Sequence, residues 1–245
     1  MMRCDDRPTR RRSIVAAGFA GVVLSVFGRS ARAADSASSG EVRIPADSGE
    51  ISGFRAAPAG AGPFPVVLVI GDADRTAICG RLAGAGYLAI GADVLARDAG
   101  DDAVLRRVDA VLQFAQQGAG DPRRAALVGF GRGGSIAWLY AAQRSGLKAA
   151  VAWGGAVSGS GSKTPLMLAA ELKSPILGLY GAEDANNTRA VLLRAESASR
   201  GRAELVSYVG AGADFAVEGR PGYDQAAALD GWQRMLTWLK RHGVG

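Results

Sequence analysis

The stretch Ala125-Ala126-Leu127-Val128-Gly129-Phe130-Gly131-Arg132-Gly133-Gly134 decides the fold of this chain. Its apolar start predicts a buried strand, the glycines predict a sharp turn, and the residues after Gly133 have the apolar spacing of a helix. In a G-x-nucleophile-x-G turn the middle residue is held above the end of the sheet, where Ser, Cys or Asp attacks a substrate. The middle residue here is Gly131, which has no side chain for that chemistry.

Short apolar runs alternate with helix-period segments on both sides of this turn. Continuous apolar runs such as residues 66–70 are typical of parallel strands covered on both faces. We therefore predict an α/β fold, a three-layer sandwich whose mostly parallel sheet of about eight strands begins with two antiparallel strands. The predicted strands are 42–44, 51–55, 66–70, 87–92, 125–128, 149–153, 176–180 and 204–208, and the predicted helices are 76–85, 104–117, 133–144, 188–199 and 223–242.

Residues 1–33 have the pattern of an export signal. Arg10-Arg11-Arg12 is followed by an apolar run over 14–27 and by Ala31-Arg32-Ala33, a small-x-small cleavage site. The arginines also approximate a twin-arginine signal, and an ordinary secretory signal is the alternative. The run of about 14 apolar residues is shorter than the roughly 20 that span a bilayer. We expect an exported protein, periplasmic or secreted, with one domain over residues 34–245 after a loose leader at 35–40.

Removing the signal leaves a nearly neutral protein. The chain has 29 basic and 23 acidic residues, of which residues 1–33 hold seven arginines and two aspartates. A net charge near +1 predicts no binding of nucleic acid, and contact with a membrane only during export. Cys79 is then the single cysteine, so no internal disulfide is expected, and we predict that it packs in the core.

Several segments in order along the chain resemble the dienelactone hydrolase family, within the α/β-hydrolase fold. Together they cover almost the whole chain after the signal. They are Gly49-Glu50-Ile51-Ser52-Gly53-Phe54, residues 63–70, Gly86-Tyr87-Leu88-Ala89, residues 92–97, Val128 to Gly134, Pro175 to Asp184, Tyr208 to Phe215 and Tyr223-Asp224-Gln225-Ala226-Ala227.

The resemblance implies hydrolysis of esters and lactones by a Cys or Ser, Asp, His triad, which this sequence matches only in part. Asp184 stands at the position of the acid that orients the imidazole. Gly131 stands at the nucleophile position, and Ala213 stands at the histidine position in Gly210-Ala211-Gly212-Ala213-Asp214-Phe215. Triad members act as a unit, so the loss of two predicts a protein that is degenerate as a hydrolase.

The family also places a glutamate in the loop after the strand that ends at Ile70. This loop, Gly71 to Arg75, has no glutamate and is several residues short. Asp72 or Asp74 could take the glutamate's place, but aspartates before a helix more often cap it.

Other residues could supply the chemistry of a hydrolase in place of the missing triad members. Ser135 is an alternative nucleophile in a shifted turn, although it falls within the following helix, and Asp214 is a candidate base. The only histidine, His242, is expected to be a solvated residue in the last turn of a helix. A positive charge there interacts favourably with the helix dipole.

A third alternative is a dinucleotide site, because Gly129-x-Gly131-x-x-Gly134 formally matches the G-x-G-x-x-G pattern. That pattern belongs to the first βαβ unit and needs an acid at the end of the next strand, which here ends in Ala152-Trp153-Gly154-Gly155. We therefore predict no cofactor, and no metal site because there is no Cys or His cluster.

The sequence thus predicts a family member that binds a small molecule or a protein partner without covalent catalysis. We expect the pocket at the carboxyl ends of the strands, near Gly131, with Asp72, Arg132 and Trp153 as ligand-binding residues beside Asp184. For Trp153 the competing interpretation is packing in the core, and for Arg132, as for Arg220, it is solvation or a local ion pair. A hydrolase with an unconventional site is the competing function.

Overall fold

The computed structural model describes residues 37–47, 49–96, 99–161 and 163–245. The predicted export signal, residues 1–33, lies outside these residues. In the described part, the strands are β1 (Ser38–Ala46), β2 (Gly49–Ala57), β3 (Phe64–Gly71), β4 (Leu88–Ala92), β5 (Gly120–Phe130), β6 (Ala149–Trp153), β7 (Ile176–Gly181) and β8 (Ala203–Tyr208). The helices are α1 (Arg75–Gly84), α2 (Asp101–Gln117), α3 (Arg132–Gln143), α4 (Pro165–Leu168), α5 (Arg189–Ala198) and α6 (Gln225–Arg241).

The strands form one sheet in the order β1-β2-β4-β3-β5-β6-β7-β8. β1 pairs with β2, and β2 with β4, in antiparallel fashion, whereas all the pairs from β4 to β8 are parallel. The predicted α/β sandwich with an antiparallel start is therefore confirmed. Because β5 is central, the turn after it lies in the middle of the carboxyl edge of the sheet.

Helices cover both faces of the sheet, as the continuous apolar strands require. On one face the core includes Val108 of α2, Ile136 of α3 and Leu192 of α5. On the other face it includes Leu82 of α1 and Met235 of α6. Among the described residues, no helix has both the length and the apolar character needed to cross a bilayer.

Two predictions about local structure are wrong. Ser38 to Gly40 are not a loose leader, because they pair with Arg55 to Ala57 at the start of β1. The structure also contains α4, followed by a 3₁₀ turn over Ala169–Glu171, where no helix was predicted. A helix of four residues is too short to show a 3.6-residue period.

Candidate functional site

The turn between β5 and α3 holds Gly131 in a strained backbone conformation. Its φ is 54° and its ψ is −124°, a combination that residues with a side chain rarely adopt. Gly131 N donates to Trp153 O at 2.9 Å, and Gly134 N donates to Gly131 O at 2.8 Å. These bonds fix the turn to the end of β6 and to the start of α3.

The glycines of this turn differ in how much space surrounds them. A Cβ on Gly133 would lie 2.6 Å from Ile70 O, and a Cβ on Gly129 would overlap the carbonyl of Gly133. The nearest atom to a Cβ on Gly131 would be Asp72 Oδ2, at 3.6 Å, which is an ordinary contact distance. The two flanking glycines are therefore required by packing, whereas the middle position has room for a side chain.

The dinucleotide pattern has a packing explanation in the same geometry. A Cβ on Gly134 would overlap Gly154 O, so this third glycine of the pattern lets α3 approach the end of β6. The close approach accounts for Gly129 and Gly134 without a bound pyrophosphate.

Asp184 follows β7 and is buried, with 7% of its surface exposed. Its Oδ1 accepts hydrogen bonds from Asn186 N at 2.9 Å and Asn186 Nδ2 at 3.2 Å. Its Oδ2 accepts a hydrogen bond from Asn187 Nδ2 at 2.7 Å. Both carboxylate oxygens thus have amide partners, as a buried charge requires.

Asn187 was not singled out from the sequence, yet it connects two loops of the site. It is buried, its Nδ2 also donates to Gly155 O at 2.9 Å, and its Oδ1 accepts from Val157 N at 3.0 Å. The side chain therefore ties the loop after β7 to the loop after β6. An asparagine in a predicted turn gives no sign in the sequence that its partners are so distant.

Ala213 lies exposed in the loop between β8 and α6, and that loop is tied to the loop after β3. Arg220 Nη2 donates to Asp72 O at 3.0 Å, and Arg220 Nη1 lies 3.4 Å from Asp214 Oδ2. The structure therefore brings Arg220, which was predicted to bind a ligand or form an ion pair, into an ion pair with Asp214.

The two candidate aspartates after β3 have different surroundings. Asp74 caps α1, accepting hydrogen bonds from Thr76 N at 3.0 Å and Ala77 N at 3.1 Å through Oδ1. Asp72 instead lies beside Gly131, with its carboxylate next to the space that a side chain there would fill. Of the two, Asp72 belongs to the site.

Ser135 and Arg132 each bond to a segment next to the turn. The Ser135 hydroxyl donates to Ala156 O at 2.9 Å from the first turn of α3. Arg132 Nη2 donates to Ala99 O at 3.3 Å and lies 4.0 Å from Asp101 Oδ1. Both side chains are thus occupied by the loops next to the turn.

Trp153 is next to the turn through its backbone, but its ring is part of the core. The ring stacks on Phe130 with a centroid distance of 5.5 Å and lies 5.9 Å from Phe215. A Cβ on Gly231 of α6 would lie 2.6 Å from the Trp153 ring. This packing under α6 supports the structural interpretation of Trp153.

His242 and Cys79 lie away from the turn. His242 follows the last residue of α6. Arg241 Nη1, at the end of α6, donates to Glu204 Oε2 at the start of β8, at a distance of 3.0 Å. This region therefore lies at the amino ends of the parallel strands, opposite the end that holds Gly131. The His242 ring lies 4.2 Å from that of Trp238, and burial and the Arg241 charge lower its pKa. His242 lies at the end of the helix as expected, with its ring half-buried against Trp238 rather than fully solvated. Cys79 is buried as predicted, and burial raises its pKa to about 12.

The sheet order, together with the glycine-flanked turn after its central parallel strand, defines a protein of the α/β-hydrolase fold. Residues 51–243 match the model of the dienelactone hydrolase family. The chain belongs to this family.

Relatives and solved structures agree with this assignment. A protein of Methylorubrum extorquens named "Putative carboxymethylenebutenolidase" is 35% identical over 96% of this chain and 94% of its own length. An Escherichia coli protein of the same name is 36% identical over 85% and 89%. The crystal structure of a "Putative Dienelactone Hydrolase" from Klebsiella pneumoniae has a TM-score of 0.78 at 35% identity, over 84% of this chain and 99% of that one. A dienelactone hydrolase-like promiscuous phosphotriesterase from metagenomic libraries, 21% identical over 84% and 98%, shares the fold with a TM-score of 0.71.

Proposed function

We propose that this chain is an exported, catalytically degenerate member of the dienelactone hydrolase family that binds a small molecule or a partner without covalent catalysis. One observation carries the proposal. The turn keeps the strained backbone of a nucleophile position, with φ 54° and ψ −124°, and has room for a side chain, but the residue there is glycine. What the turn still offers is backbone, namely the first N–H groups of α3 other than Gly134 N, since the first N–H groups of a helix lack an intrahelical partner.

The surroundings of Asp184 support the same proposal. In a triad the acid accepts a hydrogen bond from the imidazole and so fixes its orientation. Here the oxygens of Asp184 accept from Asn186 and Asn187, and the histidine position in the loop after β8 holds Ala213. The carboxylate therefore has a structural role that needs no imidazole.

Hydrolysis of small activated esters and lactones by the purified protein tests the proposal. Wild type, Asp184→Ala and Ser135→Ala should all give the rate of heat-denatured protein, because no nucleophile and base are held together. Saturable turnover by the wild type that either variant removes would reject the proposal.

A hydrolase with an unconventional site is the second candidate, and the position of Asp72 favours it. Its Oδ2 lies beside the space that a nucleophile would occupy, where a carboxylate can act as a general base toward water. The variant Asp72→Asn keeps the shape and removes the base. Wild-type turnover that Asp72→Asn abolishes, and that Ser135→Ala leaves intact, would assign the activity to this carboxylate.

A further inference from the structure

A groove runs between α1 and the segment from Ala216 to Leu229, beginning at Ala73 directly after Asp72. It encloses about 380 Å³, at the small end of the 300–1,000 Å³ that ligand pockets usually have. Its wall on the first side is formed by Ala73, Asp74, Ala77, Ile78 and Arg81, and its wall on the other side by Ala216, Val217, Glu218, Tyr223, Ala228 and Leu229.

Apolar residue types outnumber polar ones along the groove, and two of its large side chains face solvent. Tyr223 is 38% exposed and Leu229 is 55% exposed, although both belong to residue types that gain free energy by burial. A ligand with an apolar body would cover them. The groove therefore favours a compact molecule with an aliphatic or aromatic part.

Arg81 gives the groove a cation that is held in place. Its guanidinium carbon lies 3.7 Å from the ring centroid of Trp232, a cation–π contact. Among the described residues, no carboxylate lies within ion-pair distance of Arg81, in contrast to Arg75, which lies 3.6 Å from Asp93 Oδ1. A guanidinium stacked through its face keeps its N–H donors at the edge, where they match the two oxygens of a carboxylate.

Neither acidic residue of the groove forms an ion pair with Arg81. Asp74 caps α1 and lies seven residues before Arg81, which at 1.5 Å per residue separates them by roughly 10 Å along the helix. Glu218 belongs to the other wall and is exposed, so water and salt screen its charge. Asp74 therefore lies at the end of the groove near Gly131, and Arg81 lies about two helical turns away from it.

We propose that this groove is a binding site for a small organic acid, with the apolar body between α1 and α6 and the carboxylate on Arg81. The proposal rests on the proposed function, since it names the ligand class of a protein that binds rather than hydrolyses. No part of the site depends on a side chain at residue 131.

Calorimetric titration with 4-phenylbutyrate tests the site, with its neutral analogue 4-phenylbutyramide as the matched ligand. We expect the acid to bind at least tenfold more tightly than the amide. Arg81→Gln should remove this preference, and Leu229→Gln should weaken both ligands because it removes part of the apolar wall. Arg106→Gln, an exposed arginine of α2 on the other face of the sheet, is the control and should bind like wild type.

Arg81→Lys is the second variant, because it keeps the charge and loses the planar stack, and it should bind the acid between wild type and Arg81→Gln. Equal affinity of wild type for acid and amide would overturn the proposal, as would an unchanged preference in a folded Arg81→Gln variant. Ester turnover by the wild type would reject the proposed function instead, so the two failures are distinguishable.

Discussion

At the scale of the residue, three nearby glycines have different physical roles. Gly133 and Gly129 are needed because the backbone of a neighbouring segment occupies the place of a side chain. Gly131 has that space free and is needed only for its φ of 54°. Packing therefore does not require the absence of a side chain at residue 131.

We expect Gly131→Ala to fold and to lower the free energy of unfolding by about 1–3 kcal/mol, the usual cost of a side chain at a positive φ. Gly133→Ala should cost more, because its Cβ would lie 2.6 Å from Ile70 O and backbone has to shift. Urea unfolding of the two variants checks this order. An equal or larger loss in Gly131→Ala would show that the space above the turn is not free.

At the scale of the element, the loops after β6 and β7 are held together by side chains of the second loop. Asn187 bonds Asp184 Oδ2, Gly155 O and Val157 N, so its removal leaves one oxygen of a buried carboxylate and a buried N–H without this partner. An unpaired buried polar group costs about 1–3 kcal/mol, and more when it is charged.

Asp184→Ala and Asn187→Ala should each lower the free energy of unfolding by about 2 kcal/mol, and the double variant should lose clearly less than the sum. Chemical unfolding of the four proteins of this cycle measures the coupling. Ser197→Ala, at an exposed position of α5 outside the network, is the control. Full additivity would mean that the two side chains do not act on each other.

A helix or strand was predictable from the sequence where its pattern of apolar residues extends over enough positions. β6 was predicted with its observed bounds, and α3 within one residue at each end, because both are almost continuously apolar. β5 was predicted only over 125–128, because its first residues, Gly120 to Arg124, are mostly polar. α4 has four residues and shows no period. Asn187 was missed for a different reason, since its partners Gly155 and Val157 are brought near only by the parallel pairing of β6 with β7.

The sequence predicted after which strand each site residue lies, but it predicted less well which groups each side chain contacts. Sequence order placed Gly131, Asp184 and Ala213 at the ends of β5, β7 and β8, as the structure has them. Which of Asp72 and Asp74 lies at the turn depended on the exact start of α1, because the residue before the helix becomes the cap. The core position of the Trp153 ring depended on Gly231, which lies far along the chain.

At the scale of the whole molecule, the single histidine and Gly131 lie at opposite ends of the parallel strands. His242 is packed against Trp238, with Arg241 and Glu204 as its charged neighbours. Burial and the charge of Arg241 outweigh Glu204, so the pKa of His242 is below its ordinary value of 6.5. We therefore expect the histidine to contribute to the pH dependence of folding.

The sign of that dependence follows from proton binding in the two states. Below pH 6.5, and down to the pKa of folded His242, the unfolded chain holds a proton that the folded chain does not. The free energy of unfolding therefore falls as the pH falls through this window, and it carries no such penalty above about pH 7.5. Arg234 and Tyr208 lower the pKa of Asp230, and the backbone N–H of Arg123 lowers that of Asp121, so these carboxylates titrate in a more acidic range.

His242→Gln keeps a neutral side chain of similar size and removes the titration, so its stability should change less than that of the wild type between pH 7.5 and 5.5. Urea unfolding of both proteins across this range measures the difference. Glu204→Gln removes the group that raises the pKa of His242, so it should steepen the loss in the wild-type background and have no such effect beside His242→Gln. Parallel pH profiles for wild type and His242→Gln would mean that the ring is solvated in the folded protein and titrates as in the unfolded chain.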